Sequence, residues 1–304
     1  MPKSTPQLID PRTQAIRLER CRFGPQAFEP TRTNFFTIYA LEAGHGEFWA
    51  DAAKHSFTAP SLLFFTPYQH LRFVPAVETE ALRIQIHANF LCIETFHAES
   101  GCAGTLFGDL YNPPVVALDG STRREVQALL KRMLAEQQDQ PLAFDEMLLA
   151  QLKMLLLTAT RVKARATTAA GCPAFQPRHP VLGQLKALLD EHFSVWHAPA
   201  EYARALHMTP KTLGRVVREQ LGKSLTELIR ERILTHAKWQ LLHTLKPVKQ
   251  VAREVGFRDE LYFSRMFKKA TGYAPLFFRA YETEVRGGSN LSMLSPPRSI
   301  PAKK

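Results

Sequence analysis

No run of about 18 consecutive apolar residues occurs in the 304-residue sequence, which excludes a membrane-spanning helix. The opening Met1-Pro2-Lys3-Ser4-Thr5-Pro6 lacks the apolar core of a secretory leader, so the expected location is the cytoplasm. Cysteine is scarce. Cys21, Cys92, Cys102 and Cys172 form no C-x-x-C pair, which removes zinc-finger and dithiol spacings and leaves scattered thiols in a reducing compartment. H-E-x-x-H, G-x-S-x-G and G-x-G-x-x-G are absent, so the common metalloprotease, hydrolase and dinucleotide signatures are missing. Gly222-Lys223-Ser224 has the ending of a phosphate-binding loop, but the first glycine of such a loop falls on Val217, inside a helical pattern.

What is present is a soluble globular composition, 45% hydrophobic and 22% charged, long enough for two domains and a core that needs no disulfides. The net charge of +11 is unevenly placed. Residues 1–177 carry 17 Lys/Arg and 17 Asp/Glu, whereas residues 178–304 carry 22 and 11, so the second part holds the whole excess. Such asymmetry points to a polyanionic partner, nucleic acid before anionic membrane, against the alternative of a basic face that only aids solubility.

Residues 1–20, with Pro2, Pro6 and Pro11, read as a loose arm. Between 34 and 90 the pattern is strand-rich: Asn34–Tyr39 is aromatic and β-branched, Leu62–Thr66 is a short apolar run, and Leu82–His87 alternates as a half-buried strand does. Gly44, Gly46, Pro60, Pro67 and Pro75 punctuate these runs as turns, and the sum is a small antiparallel β-barrel or sandwich. From 121 to 163 the spacing becomes helical. Val126, Leu129, Leu130, Met133 and Leu134 form one apolar stripe, and Leu148, Leu149, Leu152, Leu155 and Leu156, with Met154 among them, form a wider one. This pair either covers the barrel or packs on a second subunit as a homodimer contact. The expected domains are 1–165, a linker at 166–180, a helical domain at 181–285 and a disordered tail at 286–304.

The helical domain holds two similar units, Pro199–Arg218 and Val248–Lys268, each a short helix, a tight turn and a second helix rich in basic residues. Thr209 with Pro210 opens the second helix of unit one, Gly222 ends it, and Ser224-Leu225-Thr226-Glu227 is a capping box. Leu225, Ile229, Ile233, Ala237, Leu241 and Leu245, at steps of four, give the connecting helix its apolar line, with Leu228 and Leu242 beside it. Asp259 and Gly272 bound the last unit's second helix, and Trp239 and Tyr262 read as packing residues.

Gly256-Phe257, Tyr262-Phe263-Ser264-Arg265, Phe267-Lys268-Lys269, Gly272, Pro275 and Arg279, with Arg232, Ala237 and Leu241-Leu242, resemble the signature of the AraC/XylS family of bacterial transcription regulators over residues 185–280. The resemblance implies an α+β chain: an N-terminal cupin-like β-barrel sensor with a helical pair, then an all-α domain of two helix-turn-helix units on a linker helix. The two recognition helices then enter successive major-groove faces of double-stranded DNA about 34 Å apart. By position, Lys211, Thr212 and Arg215 in the first unit and Glu260, Leu261 and Arg265 in the second face the bases, with the arginine forks suited to guanine. Arg218, Lys223, Lys268 and Lys269 are the expected phosphate contacts. Arg253 and Arg258 read as solvated or phosphate-facing. The sequence departs from the family pattern at Gly214, which offers no side chain where one often reads a base, and at Val216-Val217, which replaces a bulkier apolar pair.

RNA polymerase is the implied protein partner, and the nucleoid the working site of this sequence-specific regulator, most often an activator in that family. The competing readings are a non-specific architectural DNA binder and a cupin-like enzyme. No catalytic residue, cofactor or metal is expected: His45, His55, His70, His87 and His97 are isolated, and His45-Gly46-Glu47 supplies one histidine where a cupin metal site uses two. A small polar effector in the barrel mouth would meet Tyr39, Trp49, His70, Arg83 and His87, of which Arg83 and His87 share one strand face.

Overall fold

The computed structural model of the chain describes residues 16–51, 53–87, 106–107, 112–168 and 181–285. Among them run strands β1 (Ile16–Phe23), β2 (Phe36–Ala43), β3 (His45–Ala50), β4 (Ala53–Thr58), β5 (Ser61–Phe65), β6 (Leu71–Pro75), β7 (Thr79–Ile86) and β8 (Val115–Ala117). Helices follow: α1 (Gly120–Asp139), α2 (Phe144–Thr168), α3 (Val181–His192), α4 (Pro199–Ala205), α5 (Pro210–Leu221), α6 (Leu225–His243), α7 (Val248–Glu254), α8 (Glu260–Thr271) and α9 (Pro275–Val285). The architecture is α+β, a sheet domain followed by a helical one.

The strands form a five-stranded sheet in the order β1-β7-β2-β5-β8 and a three-stranded sheet in the order β4-β3-β6. Among the described residues no ladder closes the two sheets into the expected barrel; they stack as layers instead. The reason lies in the side chains. β5 reads Ser-Leu-Leu-Phe-Phe and is buried throughout. Strand alternation sends Leu62 and Phe64 toward α1 and α2, and Leu63 and Phe65 toward the three-stranded sheet. β2 divides the same way, with Ile38 and Ala40 to the helices and Tyr39 and Leu41 to the sheet. A sheet apolar on both faces needs a cover on each.

β7 therefore differs from the half-buried strand that its alternation predicts. It lies between β1 and β2, and its polar positions Arg83 and Gln85 point between the two sheets rather than into water. Residues 16–20 of the expected loose arm belong instead to β1, which begins at Ile16 and pairs with β7 along its whole length; residues 1–15 lie outside the described residues. The helical pair covers the sheet: Val126, Leu130, Met133, Leu148, Leu152, Leu155 and Leu156 share one core with β2, β5 and β7. α2 runs to Thr168, past the expected limit at 165, and the rest of the expected linker and the tail 286–304 lie outside the described residues.

The helical domain starts and stops where its capping residues stand. The Thr209 and Ser224 side chains accept from the backbone N–H of Thr212 and Glu227, and Asp259 accepts from Leu261. Gly222 and Gly272 end α5 and α8 in the left-handed conformation, at φ 68° and 91°. In α6, Leu225, Leu228, Ile229, Ile233, Ala237 and Leu241 are buried as their spacing predicts. Leu245 falls beyond the helix end and is exposed, because the stripe outlasts the helix. Arg279 donates to the carbonyls of Leu241 (3.0 Å) and Lys246 (2.6 Å), which fastens α9 to the carbonyl end of α6.

Phe73 is the centre of the inter-sheet core, fully buried and in ring contact with Phe23, Phe28, Tyr39, Phe48, Phe57 and Phe65. We expect Phe73→Ala to cost about 3–5 kcal/mol of stability, measured by chemical denaturation. A loss below about 1 kcal/mol would show that the two sheets do not depend on this core.

Candidate nucleic-acid interface and inter-sheet pocket

The two helix-turn-helix units repeat at atomic detail. In the first, Met208 N–H donates to the Ala203 carbonyl at 2.8 Å; in the second, Phe257 N–H donates to Ala252 at 2.8 Å. The turns pivot on left-handed residues, His207 and Gly256. α5 and α8 are each 12 residues long and bury equivalent positions, Leu213 and Val217 in one, Phe263 and Phe267 in the other. Arg215 and Arg265 consequently occupy the same place, the sixth residue of each helix, and both are exposed.

Of the expected base-facing residues, Lys211, Thr212, Arg215, Leu261 and Arg265 are exposed and Glu260 is half-buried. Arg218, Lys268 and Lys269 are exposed toward the ends of the same helices, and Arg253 and Arg258 are also exposed. Lys223 is placed otherwise: it is buried, with Nζ 2.6 Å from Glu231. Gly214 faces open space, with nothing within 4 Å of where a Cβ would stand. Trp239 and Tyr262, read as packing residues, are 48% and 57% exposed. Their helices bury the opposite faces, and Trp239 stacks on His236 while Tyr262 lies against Phe257.

The expected effector residues separate. Tyr39 and Arg83 sit opposite each other in the β2–β7 ladder and line a pocket between the sheets together with Arg32, Thr33, Thr37 and Gln85. Trp49 does not join them; β3 alternation turns Phe48 and Ala50 inward and Trp49 outward, between Lys54 and Arg72. His70 lies in the loop before β6, 3.4 Å from Glu29. His87 follows β7 on the Arg83 face but reaches the helical domain, with Nε2 3.6 Å from the Glu282 carboxylate of α9. Gln85 and Thr37 were within reach of sequence reading, since alternation from Arg83 and Tyr39 selects them; Arg32, in the loop between β1 and β2, had no such signal. Among the described residues no three His, Cys, Asp or Glu side chains converge as a metal site requires.

Electrostatics follow burial. The Tyr39 phenol is pushed up to about 12 by desolvation, against the pull of Arg83, so it stays a hydroxyl. Arg83 donates to Glu19, while its Nε is buried with no hydrogen-bond partner.

The seam between the domains is polar as well as apolar. Tyr68, in the loop between β5 and β6, belongs to the core of the helical domain and touches the rings of Tyr273 and Phe278. Its hydroxyl donates to buried Glu282, and its backbone holds φ 65°, a conformation that a bulky side chain adopts only under constraint. At Gly222 a Cβ would come within 2.8 Å of the Lys54 carbonyl, so the turn that ends α5 is also a close contact with β4.

Residues 202–281 match the family profile described as helix-turn-helix domain. The arabinose operon regulatory protein of Salmonella typhimurium is 41% identical over 93 residues, 31% of this chain and 32% of that protein. The HTH-type transcriptional activator RhaR of Klebsiella pneumoniae subsp. pneumoniae is 26% identical over 178 residues, 58% of this chain and 61% of that one. ToxT from Vibrio cholerae O395 aligns over 89% of this chain and 99% of its own at 13% identity, with a TM-score of 0.38, too loose to inform any residue. The first match spans about a third of the curated relative's length.

Two outcomes test the seam. Tyr68→Phe leaves the buried Glu282 carboxylate without its hydroxyl donor, and we expect a loss of about 1–3 kcal/mol on chemical denaturation; no loss would remove this hydrogen bond from the forces joining the domains. His55 of β4 is pushed down to about 4, first by burial and then by Lys223 and Lys163. Below its ordinary 6.5 the unfolded chain takes up a proton that the folded chain refuses, so stability falls as the pH drops from 6.5 to about 4 and the loss levels off below that. Denaturation midpoints measured against pH should lose this segment of slope in His55→Gln; an unchanged slope would assign it to another group.

Proposed function

We propose, from the premise that residues 202–281 are a helix-turn-helix domain of the AraC/XylS type, that the protein is a sequence-specific DNA-binding transcription regulator. The observation that carries this reading is the pairing of Arg215 and Arg265 at the same exposed place of two equivalent helices, in the part of the chain that holds the whole charge excess. An arginine fork so placed can donate to O6 and N7 of guanine in two successive major-groove segments. Lys211, Thr212, Glu260 and Leu261 flank the forks. Arg218, Lys268 and Lys269 meet phosphates and set register and affinity. Lys223 is buried and held by Glu231, and its charge acts on His55 of β4 instead. Gly214 leaves the first unit reading fewer bases than the second.

In this reading residues 1–165 sense an effector, dimerise, or both, and residues 181–285 read DNA in the cytoplasm, on the nucleoid. Leu142, Met147 and Met154 are exposed around the α1–α2 hairpin, which supports a homodimer contact there after the sheet has been covered. The matched activators support action through RNA polymerase, with effector binding shifting the population of domain arrangements.

The experiment is recovery and sequencing of genome fragments bound by the purified full chain at fixed salt of about 150 mM, since phosphate contacts alone give strongly salt-dependent binding. A compact motif of two major-groove segments is expected. Uniform recovery of all fragments would favour the architectural reading. On the recovered site, Arg215→Ala and Arg265→Ala should each cost about 1–3 kcal/mol and relax preference at their own segment, whereas Lys268→Ala should weaken all sequences alike and lower the salt slope by about one. Unchanged affinity in both arginine variants would overturn the assignment of base contacts.

A further inference from the structure

We infer that His197, in the segment between α3 and α4, is a strut that sets the orientation of the second helix-turn-helix unit against the first, and with it the spacing of the two DNA segments that the protein accepts. This deepens the DNA reading proposed above and rests on it.

The turns of the two units have similar backbones and different surroundings. Each pivots on a left-handed residue, His207 at φ 53° in unit one and Gly256 at φ 89° in unit two. His207 is exposed, so the turn holds a bulky side chain when it faces water. Gly256 faces protein. A Cβ there would run into the Ser194 carbonyl and come within 2.5 Å of His197 Nε2. Glycine at 256 thus answers to a close approach as well as to its backbone angle. What approaches is the segment that leads into α4, the first helix of unit one.

The contact is specific. His197 Nε2 lies 3.2 Å from the Val255 carbonyl; a carbonyl only accepts, so the ring donates through that nitrogen. Val255 is the C-terminal cap of α7, where carbonyls lack partners within the helix. The imidazole also lies against Phe257, with centroids 5.0 Å apart, and Phe257 in turn meets Tyr262 and Phe263 of α8. A displacement of His197 is therefore passed to the helix that carries Arg265.

The segment's other anchor is in unit one. Tyr202, on the buried face of α4, donates its hydroxyl to the Trp196 carbonyl at 2.9 Å, and Ala198 N–H donates to the Glu201 carboxylate at 2.9 Å. Trp196 stacks on His192 with centroids 3.9 Å apart and meets Tyr202 edge-on. His197 is held between these neighbours. The covalent link between the units runs elsewhere, along α6 and through the extended Thr244, where the Arg279 bonds secure the helix end. One attachment leaves unit two a hinge; a second, at His197, fixes its angle.

The consequence for DNA is geometric. One base pair inserted between the two segments moves the second by about 3.4 Å along the axis and turns it by about 35°. A unit held at two points cannot follow that change, whereas a hinged one can.

The test starts from the site recovered by sequencing. Base pairs are inserted or deleted between its two segments, and the affinity of the full chain is measured at constant salt. For the unaltered chain a change of one base pair is expected to weaken binding at least about tenfold, since one segment then presents the wrong bases. In His197→Ala that penalty should fall at least about threefold, with base preference inside each segment retained. His197→Gln, which keeps a side-chain N–H donor, should restore most of the penalty. Val217→Ala, which loosens the core of unit one away from the strut, should lower stability and leave the spacing penalty as it is. Spin labels at Lys211→Cys and Leu261→Cys, in a full chain whose four native cysteines are serine, read the same arrangement without DNA. The distances between α5 and α8 should spread in His197→Ala and narrow again in His197→Gln. An unchanged spacing penalty or an unchanged distance distribution in His197→Ala would overturn the strut, as would an equal fall in penalty in Val217→Ala. Uniform recovery of genome fragments would overturn the DNA reading instead, and the spin-label distances would still decide whether His197 fixes the two units.

Discussion

The sheet domain depends on one constraint: β2, β5 and β7 present apolar side chains on both faces, and each face must be covered. Helices α1 and α2 take one face and the three-stranded sheet takes the other. Polar residues at the middle of β2 and β7 on the inner face then lie in the layer between the sheets. That is how Thr37, Arg83 and Gln85 come to line a pocket instead of a surface. The pocket is thus a product of the layering, cut into a closely packed aromatic core centred on Phe73.

The helical domain solves a different problem. Short helices are marginal alone, and here α5, α6 and α8 are opened by side-chain caps, with α5 and α8 also closed by left-handed glycines. Two units of the same construction hang on α6, and equivalent burial forces equivalent exposure. Once Leu213 and Val217 face inward, Arg215 must face out, and Phe263 and Phe267 do the same for Arg265. The paired arginines are the exposed complement of a repeated core.

The two domains meet through Tyr68, which belongs to the sheet domain by sequence and to the helical core by contact. Its hydroxyl on Glu282, His87 beside the same carboxylate, and the approach of Gly222 to the Lys54 backbone are specific interactions across that seam. Interfaces of that kind can be biased by a modest free energy at a neighbouring site.

Local physics was legible in the sequence. The caps at Thr209, Ser224 and Asp259, the glycine stops, the doubled units and the apolar runs of β5 and the helical pair all follow from propensity and period, which depend on near neighbours. The sequence also determined which residues share a strand face, and so paired Arg83 with His87. It could not say what lay against that face. Burial of β7 on both sides, layering in place of a closed barrel, exposure of Trp239 and Tyr262, the loss of Lys223 to Glu231 and the seating of Tyr68 in the other domain were decided by tertiary packing. Each depends on contacts between residues far apart in the chain, and no local pattern carries the identity of a distant partner.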